Sequence, residues 1–164
     1  NDIDDKGNML DLTSFDINAV IKDTAASFEG TCTKKRISIS LILASRTLYV
    51  CADMGKIQQV LYNLIDNAIR YNRANGSVRV HVYTDDNIVE LSVKDTGIGI
   101  SKENQERIFE RFYRVDKSRS KSTGGTGLGL AIVKHILSLH DAKIDIDSEV
   151  GEGTTITVTM KAVK

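Results

Sequence analysis

The chain has 164 residues, the length of about one domain, enough to bury roughly 70% of its unfolded surface. Lys plus Arg and Asp plus Glu both number 22, and zero net charge argues against a general binder of nucleic acid or acidic membrane, which needs a basic excess. Cys32 and Cys51 form neither a CxxC nor a Cys/His cluster, which disfavours a disulfide scaffold or zinc module and suggests a reducing compartment.

In chain order, Asn1 to Asn8 is polar and acidic and reads as a tail or the end of a linker. No signal-peptide pattern or membrane-length apolar run occurs, and the absence of an initial Met suggests an excerpt of a longer protein. Phe15, Ile17, Val20, Ile21, Ala25 and Phe28 recur at near-helical spacing, with Asp16 or Asn18 as cap and Gly30 as the stop. Ile37, Ile39, Leu41 and Leu43 alternate as a half-buried strand, and Leu48 to Ala52 is a short second one. Ile57, Val60, Leu61, Leu64, Ile65 and Ala68 form a helical apolar stripe that Asn75-Gly76 ends with a turn. Ser77 to Tyr83 and Ile88 to Asp95 alternate as a hairpin turning at Asp85-Asp86-Asn87. Leu128 to His140 is an apolar helix, followed by strands Ile144 to Asp147 and Thr155 to Met160 around Gly151 and Gly153. The sum is an α+β domain, with helices on one face of a mixed, mostly antiparallel sheet.

Four features suggest chemistry. Asn63, Asn67 and Arg70 share one face of the striped helix, beside the apolar stripe. Two amide oxygens and a guanidinium suit hydrated Mg²⁺ and a polyphosphate, although a solvated polar face has the same pattern. Asp95 ends a strand and precedes Gly97, Ile98, Gly99 and Ile100. A carboxylate there can accept a hydrogen bond from the adenine amine and repel the guanine carbonyl, and the isoleucines can pack on a purine; an ordinary Asp-Gly turn is the plain alternative. Gly124, Gly125, Thr126, Gly127, Leu128 and Gly129 lead into a helix whose N-terminal amides suit phosphate, without P-loop or dinucleotide-fold spacing. Residues 113–123 carry four basic groups and one acid, a local +3 that leaves 18 basic against 21 acidic groups elsewhere. They read as a lid over a compact polyanion or as a solvated loop, pinned at its start by Phe109 and Phe112. The histidines look structural: His81 outward, His135 partly buried, His140 favourable as a partial positive charge at a helix end.

Taken in order, Asn63 to Tyr71, Asp95 to Gly99, Phe109 to Phe112, Gly125 to Leu130 and Gly151 to Thr154 resemble the N, G1, F, G2 and G3 boxes of sensor histidine kinases, across residues 12 to 161. The resemblance implies the Bergerat fold, a two-layer α/β sandwich shared with DNA gyrase B, MutL and heat-shock chaperone ATPases. It implies ATP and Mg²⁺ as cofactors, residues 1–11 as the end of a linker, and 12–164 as the catalytic domain. Asn67 would be the main metal ligand with Asn63 nearby, Arg70 and Arg114 would contact phosphates, Tyr71 would border the nucleotide, Asp95 would read adenine and Thr154 would support it. Gly97, Ile98 and Gly99, with Gly125, Thr126, Gly127, Leu128 and Gly129, would complete the nucleotide site.

Arg70 stands where that family usually has Lys, Met54 where Pro is common, and His140-Asp141-Ala142 where Gly-Gly is preferred. In the hydrolysing relatives a Glu stands four residues before the metal-binding Asn; here it is Asn63, which cannot act as a base. The expectation is therefore phosphate transfer to a histidine on a separate dimerisation domain and onward to a response regulator. The isolated domain is expected to be a cytoplasmic monomer contacting neither nucleic acid nor membrane, within a homodimeric, membrane-anchored kinase. The alternatives are a Bergerat-fold ATPase or a non-catalytic nucleotide-binding module.

Overall fold

Asp53 opens the longest helix among the described residues. In the computed structural model, which describes residues 10–85, 87–110 and 129–162, its Oδ1 accepts a hydrogen bond from the Lys56 N–H at 3.2 Å. The side chain thus does the capping at a start that has no proline. The helix runs Met54–Arg70 (α3), and its stripe (Ile57, Val60, Leu61, Leu64, Ile65, Ala68 and Ile69) is fully buried. It packs between Ile17–Ala26 (α1) and Gly129–Leu139 (α5, which follows the short helix Lys102–Gln105, α4), the latter burying Val133, Ile136 and Leu137.

Beneath these helices lies a five-stranded sheet of Ser38–Ile42 (β2), Ser77–Thr84 (β4), Ile88–Asp95 (β5), Lys143–Glu149 (β6) and Gly153–Lys161 (β7), in the order β2-β4-β5-β7-β6. β2 runs parallel to β4 and the other pairings are antiparallel, so the sheet is mixed and mostly antiparallel. Val78, Val80 and Val82 of β4 and Val89, Leu91 and Val93 of β5 point into the core, while the intervening residues face outward, His81 among them. The hairpin turn is an Asx turn, with Asp85 Oδ1 accepting from the N–H groups of Asn87 and Ile88.

The N-terminal third departs from the sequence reading. Leu12–Asp16 is a strand (β1), so Phe15 enters the core from a strand and the helix begins only after Asp16, whose Oδ1 caps it through Asn18 N–H. β1 pairs antiparallel with Tyr49–Asp53 (β3) in a separate two-stranded sheet, with Leu12 opposite Asp53 and Asp16 opposite Tyr49. Gly30 does not stop the helix. The chain turns at Ser27 and Phe28 and re-enters a second helix, Glu29–Lys35 (α2), which stops at Arg36 in the left-handed conformation.

At its C-terminus α5 is followed by Asp141, also left-handed at φ 54°, which does there what a glycine usually does. His140 differs from expectation. Its Nδ1 lies 2.8 Å from the Ile136 carbonyl and its Nε2 accepts the Asp53 N–H at 3.0 Å. Through these two contacts the imidazole ring joins the end of α5 to the start of α3. His135 is exposed, because the buried face of α5 is carried by Val133, Ile136 and Leu137.

Candidate nucleotide site

Three backbone segments meet beside the C-terminus of α3. They are Tyr71–Arg73 after the helix, residues 95–99 after β5, and the turn joining β6 to β7. The Ile98 N–H donates to the Tyr71 carbonyl at 3.1 Å, and the Gly151 N–H donates to the Ile98 carbonyl at 2.9 Å. At Gly99 (φ 73°) a Cβ would overlap the Glu149 carbonyl, and at Gly153 (φ 128°) it would overlap the Asp95 carbonyl. Both positions need glycine for conformation and for space. These glycines bring main chain to main chain.

Asp95 is opposite Thr154 in the β5–β7 register, and its carboxylate straddles this junction. Oδ1 accepts the Gly97 N–H at 2.8 Å and the Thr154 N–H at 3.2 Å, while Oδ2 takes no hydrogen bond among the described residues. Burial pushes the Asp95 carboxyl above its ordinary value, and the two amides partly offset that. A half-buried carboxylate with one oxygen fixed and the other free is an acceptor seeking a donor, and an exocyclic amine matches it. Thr154 is 8% exposed, and its hydroxyl lies 2.7 Å from Ser148 Oγ.

On α3, Asn63, Asn67 and Arg70 are half-buried along one face. Asn63 Nδ2 donates to the Gly129 carbonyl at 3.2 Å, which ties α3 to the start of α5 and leaves Oδ1 available. The Asn67 side chain has no hydrogen bond among the described residues. Arg70 is turned along its own helix, with Nε donating to Asp66 Oδ2 at 2.7 Å. Two amide oxygens without partners among the described residues fit a hard cation that retains several waters.

Asn63, Asn67, Arg70 and Gly129 therefore gather on one helix face and its neighbour, and Tyr71, Asp95, Gly97, Ile98, Gly99 and Thr154 around the adjoining loop. Phe112, Arg114, residues 113–123 and Gly124, Gly125, Thr126, Gly127 and Leu128 lie outside the described residues. Several supporting residues carried no sequence signal. Ser148 Oγ accepts the Ile100 N–H at 2.8 Å, and Gln105 Nε2 donates to the carbonyls of Ile100 and Ser148. Asn72 and Arg73 hold Thr96 from its side chain and its carbonyl respectively.

This geometry has counterparts in known proteins. The sensor histidine kinase WalK of Bacillus subtilis is 49% identical over 120 residues, covering 72% of this chain and 20% of WalK. The nucleotide-free catalytic domain of histidine kinase ThkA superposes with a TM-score of 0.81 at 29% identity, over 93% of this chain and 96% of that one. Full-length ShkA in complex with AMPPNP gives 0.83 at 29% identity, over 95% of this chain and 32% of that one. The chain spans 20% of the length of WalK and 39% of that of the sensor-like kinase SenX3 of Mycolicibacterium smegmatis. Residues 52–164 match the model of one ATPase family from the second strand of the small sheet onward, and with the nucleotide-site geometry this makes the chain a member of the histidine kinase-, DNA gyrase B- and HSP90-like ATPases.

Proposed function

We propose that this chain is the catalytic domain of a sensor histidine kinase, holding Mg-ATP and presenting its γ-phosphate to a histidine on a separate dimerisation domain. The observation that carries this reading is the Asp95 carboxylate, with Oδ1 pinned by the Gly97 and Thr154 amides and Oδ2 free to accept the adenine amine. A guanine carbonyl at that point would meet a like-signed oxygen, so the site discriminates between purines. The Ile98 and Tyr71 side chains border the base. Asn67, with Asn63 nearby, would hold Mg²⁺ through the amide oxygens, and the metal would supply neutralisation of phosphate charge. Arg70 and Arg114 contact the phosphates, and the amides of Gly125, Thr126, Gly127, Leu128 and Gly129 cradle them, with residues 113–123 as the lid.

No carboxylate occupies position 63 to activate water; Asn63 spends its amide N–H on the Gly129 carbonyl instead. The γ-phosphate therefore waits for an external nucleophile, and catalysis consists of positioning and charge neutralisation. His81, His135 and His140 lie outside any His-Glu/Asp-Leu-Arg sequence, so none is the acceptor. In this reading residues 1–11 end a linker and 12–164 form the catalytic domain, a monomer on its own within a homodimeric kinase. The phosphate passes to a response regulator; ThkA has been solved in complex with one, TrrA. No described helix is long and apolar enough to cross a membrane. The reading places this domain in the cytoplasm and the anchor in another part of the kinase.

Isothermal titration with AMPPNP, with and without Mg²⁺, tests the binding half; absence of binding at millimolar nucleotide refutes it. Mixing the domain with the dimerisation domain and ATP tests the transfer half, which predicts acid-labile phosphohistidine. Steady phosphate release by the domain alone, abolished by Asn67→Ala, would favour the ATPase reading instead.

A further inference from the structure

Arg73 sits two residues beyond the proposed site-bordering Tyr71, on the exposed surface, where nothing in the sequence pattern distinguishes it. Its guanidinium nonetheless bridges two loops. Nε donates to the Thr96 carbonyl at 2.6 Å, and Nη2 donates to the Gly151 carbonyl at 3.1 Å. These two N–H groups form the side-on edge of the planar fork, the edge that can serve two acceptors at once. Thr96 follows Asp95, and Gly151 lies three residues before Thr154, so the fork joins the loop after β5 to the β6–β7 turn. Asn72 reinforces one side, accepting from Thr96 Oγ1 at 3.1 Å and donating to the Ser77 carbonyl at 2.9 Å.

We propose that Arg73 is a positioning residue of the nucleotide site, its guanidinium fixing the Thr96 and Gly151 carbonyls and so holding Asp95 and Thr154 in the register that reads adenine. Without it, the Gly151–Ile98 and Thr154–Asp95 hydrogen bonds still join the loops, but they do so inside the junction and leave its outer side unsecured. A lysine can satisfy one carbonyl at a time and cannot reproduce the fork. The inference rests on the adenine reading of Asp95.

The test titrates wild type, Arg73→Lys and Arg73→Ala with ADP and with GDP, and follows exchange of the Ile98 and Gly151 amides. Arg73→Ala is expected to weaken ADP about five- to tenfold, the loss associated with about one net hydrogen bond. GDP binding changes little, so the ADP:GDP preference narrows by the same factor. Arg73→Lys falls between, and both amides exchange faster in each variant. Wild-type affinity and preference in both variants, with or without a lower melting temperature, overturns the proposal and leaves the adenine reading intact. Equal binding of ADP and GDP by wild type overturns the adenine reading itself. The lysine variant keeps the test decisive if the alanine variant fails to fold.

Discussion

Replacing Asp95 with Asn separates what this residue does for the fold from what it does for a ligand. Asn is isosteric, so Oδ1 can still accept the Gly97 and Thr154 N–H groups and the β5–β7 junction is preserved. What changes is the second position, where a free oxygen becomes an amide N–H₂. A base amine then meets a donor instead of a charged acceptor. A hydrogen bond to a charged group contributes about 1.5–3 kcal/mol, so adenine-nucleotide affinity falls roughly 10- to 150-fold. Stability moves in the opposite direction. Burial raises the Asp95 carboxyl above its ordinary 3.8, so the folded chain holds its proton more tightly than the unfolded chain. The cost of the buried charge is therefore present in full above the raised value, and stability is recovered as pH falls through the window between that value and 3.8. The neutral amide removes this cost, so Asp95→Asn raises the nucleotide-free melting temperature at neutral pH, and the gain disappears in acid. Calorimetric titration with ADP and thermal unfolding at neutral and acidic pH provide the readouts. Unchanged affinity would refute the assigned role, and a lower melting temperature at neutral pH would refute the account of the buried charge.

The other expectations concern the framework. Asp53→Ala removes the cap of α3 and should cost about 1 kcal/mol in chemical denaturation. The Asp11 N–H first, helped by the Lys56 N–H and charge and by His140, holds this carboxyl below its ordinary value despite slight desolvation. Its contribution is thus present above that value and lost as pH falls through the depressed one, so mutant and wild type should converge at low pH. Gly153→Ala places a Cβ against the Asp95 carbonyl at a φ of 128°, and should destabilise the domain by about 2 kcal/mol or more while reducing nucleotide binding; wild-type stability would show that this junction yields easily.

The α3 stripe and the β4–β5 hairpin were legible because each presents a local period, 3.6 or 2, over many residues. The left-handed Asn75 (φ 66°) was legible as turn chemistry. β1 was not, because Leu12–Asp16 buries only Phe15 on its inner side, and one aromatic fits a helical spacing equally well. α2 was hidden because it contains Gly30 and buries only Cys32. In the site, Asn63, Asn67 and Asp95 could be found because short motifs surround them. The residues that brace them could not: Arg73 meets Gly151 across 78 positions and Gln105 meets Ser148 across 43, separations at which a single sequence carries no pattern. His140 reads as a helix-end charge until its Nε2 is seen against the Asp53 N–H, 87 positions away.

The strand order also has a kinetic consequence. β4–β5 and β6–β7 are each joined by short turns and can form rapidly as independent hairpins. Asp95 belongs to the first hairpin and Thr154 to the second, and they become partners only when β5 docks on β7, across 59 positions of chain. Closing so long a loop is slow, and it is the step that assembles the proposed base pocket. Recovery of nucleotide binding after dilution from denaturant should therefore lag the return of hairpin structure, and the ligand should act chiefly by slowing the parting of two preformed halves.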